Sequence, residues 1–519
     1  MFKKTGALVI SIILICPLFS IRVMATDTNA NDNTPAQVIS NELVVDNVTM
    51  IKDYVQKPAA TDGTVKGALY DRTTNTLTLN NYNGKTIYAE KMGDDFKIVA
   101  NGNNKITGED TYSGMAIDII DSKLTITGNG TTDVYAKYSE SYTDSNAIYC
   151  PYLTFESTTM NVYAATYQNE FSYGIMAFDD GEGSIKVSGG NLNVICSNQS
   201  VSGGSVGILG RNIEVSGSGC LNIQAGLVNR ATSCALGALY GEITVKNNGR
   251  LIAKGGDCSG DSKRLMSMGI GYNGVICLQD NGCIIASGGK CATSFGLYGQ
   301  SLTRSSSSQM YGVSDILGKD NYVSKIKYYG GTLISNTKSD NSKALAINLS
   351  GTLSNQASDF LWRDNQSGQF KLNSVNAYFN SNKYKYVEIR DNALLDLKLS
   401  NLNLIGSDNA LLGQDYHGTL SVTNGNYTLP NKINISINGV KLTQGYTYNP
   451  ATGALIIKAS VLKGTLTIEA VAVEKNAKTQ TPSTTPLTGD HTNQTLWLIL
   501  LLVSGIILVG WRIYKKHEK

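Results

Sequence analysis

The side chains best equipped for chemistry are sparse and unevenly placed. Of three histidines, His491 and His517 lie at the extreme C-terminal end, in a stretch that reads as a removed tail. His417 alone stays with the body. One histidine excludes both a Ser-His-Asp triad and a His-rich metal centre. The carboxylates are more numerous. Asp118, Asp121, Asp179, Asp180, Asp257 and Asp261 are the candidates, and Asp179 and Asp180 adjoin in the Gly-rich turn Asp180-Gly181-Glu182-Gly183. A calcium ion needs several converging oxygens, so Asp179 and Asp180 are the weak metal candidates, and calcium the one cofactor considered. No carboxylate recurs together with Arg or Lys from repeat to repeat, as a β-elimination site would require.

Tyrosine is abundant, with 28 copies. Asp133-Val134-Tyr135-Ala136 and Asn161-Val162-Tyr163-Ala164 repeat one pattern 28 residues apart. With the valines inward, Tyr135 and Tyr163 face outward together, and Tyr138 and Tyr167 lie close by. Exposed rings with a polar tip suit sugars; they equally suit an outer stacking ladder. The expected binding residues are therefore Tyr135, Tyr163, Tyr138 and Tyr167. Catalytic residues are not expected.

In an exported chain an even number of cysteines invites disulfides. Cys16 falls in the N-terminal leader and leaves eight of the nine. Most sit within strand-like segments as small apolar residues; Cys277 reads as taking the inward place of Val215 and Val245, and Cys196 that of Ala225. Cys258 and Cys291 differ. Each follows Gly-Gly-x, 33 residues apart, so they are expected on adjacent coils within bridging distance. Cys220 and Cys283 share a register but should lie two coils apart, with Arg250 between them.

These residues are positioned by a repeat. Met115-Ala116-Ile117, Asn146-Ala147-Ile148, Tyr173-Gly174-Ile175, Val206-Gly207-Ile208, Leu236-Gly237-Ala238, Met268-Gly269-Ile270 and Phe295-Gly296-Leu297 recur at 27 to 33 residues. Ser145, Ser172, Ser205, Ser267 and Ser294 precede several copies. Two alternating segments follow each. Leu124-Thr125-Ile126, Ile185-Lys186-Val187, Ile213-Glu214-Val215, Ile243-Thr244-Val245 and Val275-Ile276-Cys277 form one set. Leu192-Asn193-Val194, Leu221-Asn222-Ile223, Leu251-Ile252-Ala253 and Ile284-Ile285-Ala286 form the other. Period-2 alternation punctuated by Gly marks short strands. Three per repeat, with no copy able to bury its own face, gives one coil of a solenoid per repeat. The expected fold is all-β: a right-handed parallel β-helix, a pectate-lyase-like solenoid, with Gly174, Gly207, Gly237, Gly269 and Gly296 in one column.

The ends carry addresses. Lys3 and Lys4, an apolar run from Ala7 to Phe19 and Val23-Met24-Ala25 make a secretory signal peptide. At the other end, Pro486-Leu487-Thr488-Gly489 precedes an apolar stretch from Leu496 to Trp511 and a basic tip. This resembles the sorting signal of Gram-positive surface proteins, in which a sortase cuts an L-P-x-T-G motif and joins the Thr to peptidoglycan; Thr485 stands here where Leu is usual. The resemblance implies a wall anchor at Thr488 and a precursor held in the membrane by its C-terminal helix. The leader carries +3 and residues 489–519 carry +2 of a total of +3, which leaves about −2 for the body. A near-neutral body has no electrostatic footprint for nucleic acid.

The hairpin-like Tyr70 to Tyr82 stretch, then Lys97 to Ile106 and Leu124 to Gly130, resemble the opening of the Firmicute surface-protein family of β-helical carbohydrate-binding domains, over about residues 65–300. That resemblance implies extracellular polysaccharide binding, in some relatives with calcium. The organisation read from the chain is a signal peptide over 1–25 and an exported N-terminal segment over 26–64. β-helix repeats follow over 65–390, breaking at Ser305-Ser306-Ser307-Ser308 and resuming irregularly from Lys325. A small C-terminal β module covers 391–474, a Thr/Pro linker 475–488, and a sorting tail 489–519 with its transmembrane helix at 496–514. The function expected is a cell-wall-anchored, non-catalytic binder of polysaccharide or host glycan. The alternatives are an adhesin or stalk with protein ligands, and a polysaccharide lyase or hydrolase.

Overall fold

A computed structural model describes residues 41–52, 65–138, 145–165, 171–179, 182–198, 203–229, 231–260, 265–299, 325–349, 353–355, 359–374, 384–407 and 410–475. The signal peptide, the linker beyond Lys475, the Pro486-Leu487-Thr488-Gly489 motif and the sorting tail lie outside these residues. So do Tyr167, Asp180 and Asp261. Among the described residues no helix is long and apolar enough to cross a membrane.

The described chain is all-β, with two short 3-10 turns, Asp110–Tyr112 and Ala459–Val461. Each repeat supplies three short segments. The first two, as in Phe171–Ala177 and Ser184–Val187, join one 18-stranded sheet; the third, as in Asn191–Cys196, joins a 12-stranded sheet. Pairing between successive repeats is parallel: Ile175 meets Ile208, Ile185 meets Ile213, and Val194 meets Ile223. This is a parallel β-solenoid. Its core is a bundle of like-residue columns. Ile98, Ile126, Phe155, Val187, Val215, Val245 and Leu278 line one wall, and Ile106, Val134, Val162, Val194, Ile223, Ala253 and Ala286 the wall opposite, all within 1% of full burial. Parallel stacking puts identical side chains one ladder step apart, so no coil needs a core of its own.

The corners decide where each column falls. Ala116, Ala147, Gly174, Gly207, Ala235, Gly269, Gly296 and Ala346 occupy one column, as their neighbours' pairings require. Only a residue without a large side chain fits. A Cβ on Gly207 would lie 2.2 Å from Ile223 Cγ2 and 2.5 Å from the Ala235 carbonyl oxygen. The expected place of Gly237 in this column is thus corrected: Ala235 holds it, and Gly237 pairs with Leu209 and Gly271. The motif admits Gly or Ala, and this coil offers both two residues apart; Ala235, not Gly237, fills the column. Val275-Ile276-Cys277 is likewise one residue out of phase. Ile276 sits beside Ile243 and Leu278 beside Val245, so Cys277 falls in the outward column of Glu214 and Thr244.

A second corner is stitched by hydroxyls. Ser172, Ser205, Ser233, Ser267 and Ser294 form a fully buried column. Ser233 Oγ donates to the Gly226 carbonyl (2.8 Å) and accepts from the Gly256 N–H (2.8 Å), tying the end of one coil to its own start. Ser205 and Ser267 accept in the same way from Gly226 and Gly289. Backbone groups that turn inward at a corner would otherwise be buried without partners.

Both ends of the solenoid are closed by antiparallel strands. Glu42–Val45 covers Ile87–Glu90, and Ala68–Asp71 forms a hairpin with Thr76–Asn80. At the far end Tyr386–Arg390 runs antiparallel to Thr332–Thr337 and is followed outward by Asp359–Arg363 and Lys371–Ser374. Glu388 there is 1% exposed and held between Arg363 and Arg390. Capping strands keep an open parallel edge from recruiting other chains. Beyond this cap a separate core of Ala393, Leu402, Tyr416, Leu420, Ile435, Leu455, Ile457, Leu466 and Ile468 belongs to small four-stranded sheets. Its Tyr446–Tyr448 and Ala454–Ile457 strands flank the Asn449-to-Gly453 turn. Asn449 Oδ1 accepts there from the Ala451 N–H at 2.9 Å.

Candidate functional site

The outer face of the 12-stranded sheet is built from alternate residues of the third segment in each coil. Inward Val134 and Val162 fix the direction of Tyr135 and Tyr163, which pair in register and are half-buried. Their rings stack with centroids 4.7 Å apart and planes within 9°. That spacing is close to the ladder step of about 4.8 Å. It leaves no room for a sugar between the rings, whose facing surfaces cover one another. The Lys105 ammonium lies 5.2 Å from the Tyr135 centroid, a cation–π contact on the same ring. The pair therefore forms a stacking ladder, and what it offers a ligand is ring edge and phenol. Partial burial, then the charge of Asp133, holds the Tyr135 hydroxyl above its ordinary pKa. Tyr138 lies just beyond the strand and is 38% exposed.

Beside the tyrosines runs a second ladder that the tyrosine pattern did not announce. Asn161 Nδ2 donates to Asp133 Oδ1 (2.9 Å), Asn193 Nδ2 to Asn161 Oδ1 (2.9 Å), and Asn222 Nδ2 to Asn193 Oδ1 (3.5 Å). Each asparagine amide in the middle of the row spends one donor and one acceptor on its neighbours. One N–H and one lone pair remain for an external partner. The signal was present: Asn193 and Asn222 are the central residues of Leu192-Asn193-Val194 and Leu221-Asn222-Ile223, at the outward position. In the next coil Ile252 takes that place and ends the row.

The other candidates separate. Cys258 and Cys291 form a disulfide with Cα atoms 4.9 Å apart. Cys220 and Cys283 both pair with Arg250, on opposite sides of it. Burial pushes the Cys150, Cys196 and Cys234 thiols up to about 12, which leaves them unreactive. Asp257 accepts from the Lys290 N–H of the next coil at 2.8 Å, a turn-fixing contact. Asp179 is exposed and exchanges backbone hydrogen bonds with Glu182, which pairs with Arg211 at 2.6 Å. Among the described residues no three His, Cys, Asp or Glu side chains are grouped to hold a metal ion. His417 is exposed on the C-terminal module.

No family description, curated protein or solved structure matches this chain.

Proposed function

We propose that this chain is an exported, wall-anchored, non-catalytic protein whose solenoid holds polysaccharide or host glycan along the outer face of its 12-stranded sheet. The observation that supports this reading is the amide row Asp133-Asn161-Asn193-Asn222 beside the Tyr135/Tyr163 pair. A rigid row of half-used donors and acceptors, one per ladder step, matches a polymer that presents hydroxyls at intervals along its length. The solenoid winds right-handed in this reading, the hand that strand twist favours for parallel crossovers. The anchor rests on Pro486-Leu487-Thr488-Gly489 with its apolar stretch and basic tip, and the acceptor is peptidoglycan through a sortase. A glycan array probed with the full chain, wild type against Asn161→Leu/Asn193→Leu, tests the binding role. Retention on neutral polysaccharides that falls in the variant supports it; equal retention, or capture of protein ligands only, sinks it. Wall digests should yield a peptide ending at Thr488 joined to a cross-bridge.

A further inference from the structure

A second outward patch lies on the other sheet, near the N-terminal cap. Tyr88, Asp118, Tyr149 and Met176 form one column of the first segment, with Asp118 between the two tyrosines. Its neighbours Ile117 and Ile119 point into the core, so Asp118 points away from it. It is nonetheless only 5% exposed, and its Oδ1 is buried without a hydrogen-bond partner. A second buried acceptor without a partner, Asn146 Oδ1, lies on the strand of Tyr149. The Asn146 amide reaches Met176 Sδ at 3.6 Å, within the Asp118 column.

The surroundings are acidic and aromatic. Tyr88 Oη donates to Glu90 Oε2 at 2.7 Å, and the Tyr88 ring stacks on Tyr112 at 5.1 Å. The charges of Asp179, Asp118 and Asp121 all act on the Tyr149 hydroxyl, and those of Glu90, Asp118 and Glu42 on that of Tyr88. Burial, with Glu90 adding, pushes the Asp118 carboxyl up to about 7. Lys91 pairs with Glu90 at 3.2 Å.

We propose that this patch binds an ammonium group, carried by an amino sugar whose nitrogen is not acetylated. The orphaned Asp118 acceptor costs about 1–3 kcal/mol and is relieved only by a donor, and the Glu90 carboxylate held by its column neighbour Tyr88 stands on the same face. Hydroxyls would serve as donors, but the surrounding carboxylates favour a donor that is also a cation. A metal ion would need more oxygens than converge here, since calcium takes 6–8 and the described residues hold no three-carboxylate group. An ammonium needs about three acceptors and gains from tyrosine faces. That the ammonium sits on a sugar rests on the glycan reading above; that an ammonium binds rests on this patch alone.

Calorimetry on the full chain tests it with three probes: glucosamine oligomers, N-acetylglucosamine oligomers and calcium chloride. Glucosamine oligomers should bind and acetylated ones should not, and Asp118→Asn should weaken binding about tenfold or more. The asparagine keeps the side-chain volume, and its melting curve reports whether the variant is folded. A Glu90→Gln variant, changed at the rim, should weaken binding too. Equal binding of both oligomers, Asp118-dependent binding of calcium alone, or an unchanged affinity in folded Asp118→Asn overturns the proposal. Neutral-glycan retention on the array that is equal in wild type and Asn161→Leu/Asn193→Leu, with glucosamine binding intact, would instead sink the outer-face reading and leave this patch standing.

Discussion

Tyr135 and Tyr163 stack one coil apart at 4.7 Å with nearly parallel rings, so each contributes to stability and to the surface at once. The two roles separate by substitution. Tyr135→Phe/Tyr163→Phe keeps the stack and removes both hydroxyls; glycan retention should fall with the melting temperature unchanged. Tyr135→Ala/Tyr163→Ala breaks the stack and should cost about 0.5–1.5 kcal/mol beyond lost burial. If the Phe pair binds as well as wild type, the ladder is structural only.

Cys258 and Cys291 close a loop of 33 residues between neighbouring coils. By the loop-closure estimate the bridge contributes about 4 kcal/mol. A reductant should therefore lower the melting temperature of wild type and leave Cys258→Ser/Cys291→Ser unmoved. Peptide mapping of unreduced protein should recover the two half-cystines linked. A melting curve indifferent to reductant would show that the solenoid needs no such tie.

The repeat was legible because it is written in residues that fill columns: Ile185, Ile213 and Ile243 read as one set and stack as one. The phase slips where one coil offers two small residues, Ala235 and Gly237, two places apart. Ala235 stands for glycine in the small-residue column, which hid Ser233 from the serine series and shifted Gly237 by two places. The outer face was half legible. Alternation placed Tyr135 and Tyr163 outward, but whether two outward rings lie flat to solvent or stack on each other depends on side-chain rotamers, which spacing does not encode. Asp118 was readable as a carboxylate beside a motif. Its burial between Tyr88 and Tyr149 depends on coils 30 and 31 residues distant.

The small-residue column makes a sharp demand on Gly207. A methyl there meets Ile223 Cγ2 at 2.2 Å and a backbone carbonyl at 2.5 Å, and the carbonyl cannot rotate away. Gly207→Ala should destabilise by about 1–3 kcal/mol through overpacking. Gly413, with nothing within 4 Å of its added Cβ but a φ of 79°, should cost about 1 kcal/mol on conversion to Ala through backbone strain alone. Chemical denaturation of both variants compares the two mechanisms. A Gly207→Ala curve superimposable on wild type would mean that the coils shift apart without penalty.

Asp118 links stability to pH with a definite sign. Its folded pKa, about 7, lies above the ordinary 3.8. Below the ordinary value the group is protonated in both states and adds no difference. As pH rises through the interval, the unfolded chain ionises while the folded chain holds its proton, so the folded state loses ground until the folded group also ionises. Melting curves at pH 5 and pH 8 should show wild type losing stability on the order of 2 kcal/mol more than Asp118→Asn. Glu90, Tyr88 and Tyr149 face the carboxyl in both proteins, so their own titration cancels in the comparison to first order. Glucosamine oligomers should shrink the wild-type loss at pH 8, because a bound ammonium favours the ionised carboxylate. Parallel pH profiles for the two proteins would show that the carboxyl ionises as freely in the folded coil as in the unfolded chain, and that the patch is open to water.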